Sequence, residues 1–260
     1  MKLATWNVNS LKVRLPQVLT WLEENPVDVL CLQELKLDQP AFPLQEIEAA
    51  GYHAAWYGQK TYNGVAILAR APLTLENVVE GIPGYDDPQR RVIAATVGGI
   101  RVICAYFVNG ESLTSEKYPY KLTWLSHLLN YVEHEIEQYD GKIVLLGDFN
   151  VAPHDLDVYD PEAWKDQVLC SPPEREMFSR LINLGLCDGF RHFQPDVQAY
   201  SWWDYRAAMF RRNLGMRIDH ILFGRVLESR ALACVIDKTP RGWERPSDHA
   251  PVILTLADEG

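Results

Sequence analysis

Ile143-Val144-Leu145-Leu146-Gly147-Asp148-Phe149-Asn150, near the middle of the chain, is the stretch from which the fold reads most directly. The apolar, partly β-branched run is too short for a helix and reads as a buried strand. A glycine then ends it, which predicts Asp148 and Asn150 at the strand's carboxyl end. Being two residues apart, they share one side of extended backbone. In α/β proteins that end faces the crevice where ligands bind. The tetrapeptide also fits a plain turn, since Asp and Asn favour turns for backbone reasons alone. Partners elsewhere in the chain decide between the two.

Outward from this stretch, short apolar strands alternate with amphipathic helices. Lys2 to Val8 and Val27 to Gln33 read as strands around a helix whose Leu11, Leu15, Val18, Leu19 and Leu22 recur at helical spacing. Tyr52 to Tyr57, Val65 to Ala69, Val92 to Val97 and Ile100 to Phe107 read as further strands, the last two joined at Gly98-Gly99. The longest helix is expected within Lys117 to Tyr139, where Leu122, Leu125, Leu128, Leu129, Val132 and Ile136 form one core-facing stripe. A helix over Glu174 to Leu184 follows, then strands at Ala199 to Trp203, Ile218 to Phe223, Leu232 to Ile236 and Val252 to Leu256. The pattern predicts a four-layered α/β sandwich, two packed sheets of mixed, mostly antiparallel strands flanked by helices. Without repeats or a Gly/Ser linker, residues 1 to 260 are expected to form one domain.

The amino terminus lacks an apolar core with a small-residue cleavage site, and no apolar run approaches the roughly 18 residues of a membrane span. A cytoplasmic protein is expected. The scattered, odd-numbered cysteines (Cys31, Cys104, Cys170, Cys187 and Cys234) suggest reduced, packed thiols and neither a disulfide frame nor a zinc site. The net charge of −10 argues against bulk coating of nucleic acid or anionic membrane. It leaves open a carboxylate cluster holding a divalent cation, with local arginine patches facing a phosphate backbone.

Several other strand ends carry polar groups of the same kind: Asn7, Glu34, Tyr106 and Asp219, with Asp248-His249 just before the last strand. Asn7, Glu34, Asp148, Asn150, Asp219, Asp248 and His249 thereby form a candidate cluster. Oxygen ligands without thiolates favour Mg²⁺ or Mn²⁺ over zinc. Each member has a local alternative: Asn7 as a helix cap, Glu34 as a solvated strand end, His249 as a surface histidine.

Five motifs in order carry a resemblance across essentially the whole chain: Trp6-Asn7-Val8-Asn9, Leu32-Gln33-Glu34-Leu35-Lys36, Gly147 through Pro153, Arg217-Ile218-Asp219-His220 and Ser247-Asp248-His249. The chain resembles the exonuclease III family of DNA repair nucleases, within the endonuclease/exonuclease/phosphatase superfamily. The resemblance implies Mg²⁺-dependent hydrolysis of DNA phosphodiesters at abasic sites and 3′ ends of duplex DNA. It implies Glu34 as principal metal ligand with Asn7 and Asp248 beside it, and Asp148 and Asn150 in reach of the same cation. Asp148 would activate water with Asn150 holding it. His249, oriented by Asp219, would donate to a phosphate oxygen. Tyr106 matches the family tyrosine at the scissile phosphate, as phenol or phenolate.

DNA contacts are expected at Lys36, Lys60, Tyr62, Asn63, Arg90 and Arg91. The aromatic and arginine stretch Trp202-Trp203-Asp204-Tyr205-Arg206 is also expected to grip the duplex, unless Trp203 and Tyr205 are core and the arginines a solvated loop. By the resemblance, Trp202 lines a pocket for a base-less sugar with Met216 opposite. Asp166 and Leu169 depart from family members that carry glycine or a small residue there, and their bulk is expected to favour 3′-end trimming over internal incision. Cleavage of RNA or phospholipid head groups, and DNA binding without catalysis, are the rival expectations. Once its helices are packed the chain leaves no long apolar stripe, so a monomer is expected.

Overall fold

The structure is a computed structural model and describes residues 1–260. In chain order the strands and helices are β1 (Lys2–Asn7), α1 (Leu11–Glu24), β2 (Val29–Gln33), α2 (Leu44–Ala49), β3 (Tyr52–Tyr57), β4 (Val65–Arg70), β5 (Glu76–Glu80), β6 (Val92–Val97) and β7 (Ile100–Tyr106). There follow α3 (Lys117–Gln138), β8 (Ile143–Asp148), α4 (Pro161–Trp164), α5 (Pro172–Asn183), β9 (Leu186–Asp188), α6 (Gly189–Phe193), β10 (Asp219–Gly224), β11 (Ala231–Ile236) and β12 (Val252–Leu256). The strands form two six-stranded sheets, ordered β11-β12-β1-β2-β4-β3 and β5-β6-β7-β8-β10-β9. Within each sheet one pair is parallel, β1 with β2 and β7 with β8, and the other pairs are antiparallel.

Alternation along each strand sorts side chains between layers. In β2, Val29 and Cys31 enter the core between the sheets, while Leu30 and Leu32 face α1 and α2. In β8, Val144 and Leu146 face the other sheet, while Ile143 and Leu145 pack under α3 and α5. Three apolar cores therefore separate four layers, as expected. The cysteines are all free. No helix is long and apolar enough to cross a membrane.

Two expectations are corrected. Gly147 does not end its strand: β8 runs through it to Asp148, paired with Ala105 of parallel β7. A Cβ there would lie 1.8 Å from the Ala105 carbonyl oxygen, so only glycine permits the approach that sets Tyr106 beside Asp148. Ala199 to Trp203 is not a strand. Trp202 makes single bridges to Met216 and His249 because the segment crosses between the sheets and never joins one ladder. Edge strand β5 carries no strand signature in its residues: Glu76-Asn77-Val78-Val79-Glu80 is largely exposed and lacks a buried face. The shorter β9, α2, α4 and α6 are too brief for a periodic signal.

Behind β8 and β10 lies a buried polar knot. The Arg217 guanidinium pairs with Asp157 at 2.7 Å and Asp188 at 2.7 Å, and donates to His220 Nδ1 at 3.0 Å. The His220 Nε2–H in turn donates to the Val151 carbonyl at 2.8 Å. Arginine only donates and a carbonyl only accepts, so both bonds require a neutral imidazole. Burial, with Arg217 adding to it, pushes the His220 pKa down to about 4.

Two measurements follow from the packing. Gly147→Ala is expected to lower stability by ~1–3 kcal/mol through overpacking against Ala105, read as a lower urea midpoint. The unfolded His220 binds a proton near pH 6.5 that the folded one refuses until about pH 4. Its contribution is therefore complete above the unfolded pKa and is lost as pH falls towards the folded one, at up to ~1.4 kcal/mol per pH unit. Urea melts at neutral and acid pH are expected to show this slope, and His220→Gln to remove it.

Candidate active site

The sheet ends that the sequence singled out converge in one crevice, with contributions from both sheets. From β1 comes Asn7, whose Nδ2 donates across the sandwich to Asp148 Oδ2 at 2.9 Å. Its Oδ1 accepts from Asn9 N at 3.0 Å, which fixes the carboxamide's orientation. Asp148, at the end of β8 and 1% exposed, also accepts from Asn150 N at 3.0 Å. Asn150 steadies Asp148 through its backbone rather than its side chain. Its own Nδ2 donates to the Phe107 carbonyl at 2.8 Å and its Oδ1 accepts from Asn109 at 3.1 Å. The chain turns left-handed at Asn150 (φ 48°), so the extended alternation expected from Asp148 to Asn150 does not hold.

His249 is held from the other side. Its Nδ1–H donates to Asp219 Oδ2 at 2.8 Å, while Nε2 faces Asp148 Oδ2 at 3.6 Å and Asp248 Oδ1 at 4.0 Å, outside hydrogen-bond range. Ser201 Oγ donates to the same Asp219 oxygen at 2.7 Å and accepts the backbone N–H groups of Ile218 and Asp219. Burial opposes charge on His249, but the carboxylates of Asp219, Asp148 and Asp248 outweigh it and raise its pKa well above the ordinary imidazole value. Burial likewise raises the Asp148 carboxyl; His249 and the Asn7 hydrogen bond pull it down, while Asp219 and Glu34 push it further up.

On the open side, half-buried Glu34 sits at the end of β2 with Tyr106 Oη donating to its Oε1 at 2.5 Å. Burial and the carboxylates of Glu34 and Asp148 raise the Tyr106 pKa well above the usual phenol value against the pull of Arg91, which makes it a neutral donor here. Asp248 accepts from Trp202 Nε1 at 3.1 Å through Oδ2. The remaining oxygens, Asp248 Oδ1 and Asp219 Oδ1, are buried without any partner. Such orphaned carboxylate oxygens fit a bound cation or a protonated ligand. Asp148, Asp219 and His249 also bring ligand atoms within 4.8 Å of one another. An imidazolium offers no lone pair, so Glu34, Asn7 and Asp248 are the better cation donors and His249 the better hydrogen-bond donor.

The surrounding backbone is strained. Asn9, Ser10, Glu34, Lys36 and Asn150 all have positive φ, at 44°, 87°, 54°, 54° and 48°. For residues with a Cβ this costs ~1 kcal/mol or more each, and such outliers gather at functional sites.

The expected DNA contacts are divided. Lys60, Tyr62 and Arg206 are exposed, and Arg206 is paired with Asp204 at 2.6 Å. Lys36 Nζ donates to Asn9 Oδ1 at 2.7 Å at the crevice rim. Three others are turned into the protein. Asn63 is buried and donates to Gln59. Arg90 donates to the Gly58 carbonyl and lies over Tyr57. Arg91 caps the Tyr106 ring and donates to the Tyr106 carbonyl. Arg91 thus supports Tyr106 and presents little of itself to solvent. Trp202 borders the crevice, but Met216 is fully buried beneath it. Trp203 is core, whereas Tyr205 is half exposed and its hydroxyl donates to the Pro246 carbonyl. Leu169 does not project outward: it is 5% exposed and packs in the cluster with Met216 and Ile218, against Trp202, while Asp166 is exposed. Asn109 and Ser201, which orient Asn150 and Asp219, were missed because neither sits in an apolar strand end or a dense polar motif. A groove of about 570 Å³ runs beside Tyr106, past Tyr62 and Lys117. A larger cavity, about 760 Å³, lies around Arg101 at the far end of β7 and contains none of these groups.

An α/β sandwich whose two sheets deliver carboxylates, a carboxamide and an imidazolium to one crevice defines a phosphoester hydrolase. Residues 4–249 match the Endonuclease/Exonuclease/phosphatase family. The exodeoxyribonuclease III of Haemophilus influenzae is 37% identical, covering 97% of this chain and 98% of that protein. Among solved structures, a 3′ phosphatase from Neisseria bound to product DNA hairpin superposes with a TM-score of 0.97 at 52% identity, covering 99% of this chain and 100% of that one. An AP endonuclease from Archaeoglobus fulgidus superposes at 0.93 with 37% identity, covering 98% of this chain and 99% of that one. The chain belongs to the exonuclease III family of DNA repair nucleases, within the endonuclease/exonuclease/phosphatase superfamily.

Proposed function

We propose that the chain is a single-domain, monomeric, cytoplasmic DNA repair phosphodiesterase that uses Mg²⁺ or Mn²⁺ and acts on duplex DNA at damaged or recessed 3′ ends and at abasic sites. The observation that carries this reading is the buried relay Asn7–Asp148 and His249–Asp219, flanked by Glu34, Tyr106 and the unpartnered oxygen of Asp248. Glu34, Asn7 and Asp248, with Asp148 and Asn150 in reach, would hold the cation, which supplies charge neutralisation at the phosphate when bound.

The chain's own groups do the rest. Asp148, its pKa raised by burial and its carboxyl oriented by Asn7 and Asn150 N, takes the proton of the attacking water as the new oxygen–phosphorus bond forms. The opposite phosphorus–oxygen bond breaks, and the leaving oxygen keeps its electron pair and takes a proton from solvent. His249, kept cationic by Asp219, donates through Nε2 to a phosphate oxygen. Tyr106 donates at the same phosphate once its hydroxyl leaves Glu34. General-base help of this kind is worth about 10² to 10⁴ in rate. Lys60, Tyr62 and Arg206 supply exposed contacts to the DNA backbone, with Lys36 at the crevice rim, and Trp202 packs against the sugar next to the break.

A second reading has its own observation. Leu169 (φ 75°) is buried in the same apolar cluster as Met216, and Trp202 packs against that cluster, so the wall that would admit a base-less sugar is held in place. This favours 3′-end processing over internal incision.

The direct test uses matched duplexes carrying a recessed 3′ end, a 3′-phosphate or an internal abasic site, with Mg²⁺ and with chelator. Cleavage of at least one duplex, abolished by chelation, is expected; activity on RNA or phospholipid alone would refute the proposal. Leu169→Gly is expected to raise abasic incision relative to 3′ trimming, and an unchanged ratio would sink the role given to Leu169.

A further inference from the structure

Beneath the crevice, Lys121 of α3 and Glu174 of α5 form an ion pair with both side chains completely buried. Every polar atom of the pair is used. Lys121 Nζ donates to Glu174 Oε1, to the Asn150 carbonyl at 2.7 Å and to the Asn109 carbonyl at 3.1 Å, which exhausts its three hydrogens. Glu174 Oε1 also accepts from Leu169 N at 3.0 Å, and Oε2 accepts from Ser171 N at 3.2 Å and Ser171 Oγ at 2.5 Å. The two carbonyls belong to the turn after β8 and the loop after β7. The accepted N–H groups belong to the loop before α5. Ala152 N, donating to the Leu169 carbonyl at 2.9 Å, joins the first and last of these directly. The Lys121 stem is also wedged against the Asn109 loop: a Cβ on Gly110 would come within 3.1 Å of it.

We infer that the Lys121–Glu174 pair is a positioning device that sets the Asn150 turn and, through the same carboxylate, the loop carrying Leu169, so that one closed network ties the reacting centre to the floor of the sugar pocket. The inference rests on the function proposed above. A buried ion pair is a poor device for stability alone, since apolar residues of similar volume replace it at little cost. A fully satisfied network that reaches separate loops instead fixes their relative geometry. Lys121 and Glu174 touch no substrate. They act through the carbonyl of Asn150, whose side chain and N–H orient against Asn109, Phe107 and Asp148.

Removing one partner would leave an uncompensated buried charge, so the test replaces both, as Lys121→Met with Glu174→Gln. The full chain is assayed at a temperature where circular dichroism matches the parent. On a recessed-3′ duplex with Mg²⁺, kcat is expected to fall about 10- to 100-fold with KM nearly unchanged, the mark of misplaced reacting groups. The ratio of abasic incision to 3′ trimming is expected to shift at the same time. Amide hydrogen exchange gives a readout independent of activity: segments 148–152 and 169–171 are expected to lose protection together. A folded double variant with parental kcat and parental ratio, or loss of protection confined to one segment, overturns the inference. If the parent cleaves no DNA duplex while both segments still lose protection together, the nuclease reading falls and the linkage stands.

Discussion

The hydrogen bond from Asn7 to Asp148 joins the two sheets at the place where the crevice opens, and the rest of the site is arranged around it. Asn7 belongs to a parallel pair in one sheet and Asp148 to a parallel pair in the other. Parallel neighbours bring their carboxyl ends out side by side, so Glu34 follows β2 and Tyr106 ends β7 within reach of the same point. The tight β7–β8 approach at Gly147 is the steric condition for this, because any side chain there would drive the strands apart.

Such a site is electrostatically expensive. Asp148, Asp219 and His249 are all at least nine-tenths buried, and isolated charges at that depth would be strongly disfavoured. Mutual pairing lowers the cost: Asp219 holds the imidazolium, Ser201 and Asn7 hold the carboxylates, and the two orphaned oxygens remain for a ligand. Left-handed backbone at Glu34, Lys36 and Asn150 adds strain that the surrounding packing must sustain. Stability spent in this way is consistent with a crevice shaped for chemistry rather than for folding.

Much of this was legible in the residues. Strands with two buried faces announce themselves as continuous apolar runs, so β2, β4, β7 and β8 stood out, and polar residues just past their ends marked the crevice. Exposed β5 has no such run, and the crossing segment at Trp202 imitates a strand because it is short and rich in aromatics, with Tyr200 and Trp203 in the core. Side-chain direction was the weaker part. Arg91 reads as a phosphate contact and Met216 as a pocket wall, yet a guanidinium can turn back onto a neighbouring tyrosine and a methionine can fill a gap beneath a tryptophan. The Lys121–Glu174 pair left a trace in Ser171-Pro172-Pro173-Glu174, which has the spacing of a capping box. What no local pattern conveys is that the same carboxylate receives a lysine from another helix.

The central claim is that Asp148 takes the water's proton within this cross-sheet network. It is tested most directly by single-turnover cleavage and equilibrium DNA binding of Asp148→Asn on one recessed-3′ duplex. The carboxamide keeps the shape and an acceptor for Asn7 but cannot serve as the base. Parental DNA affinity is expected, with cleavage reduced by about 10² or more; cleavage at the parental rate would contradict the role given to Asp148.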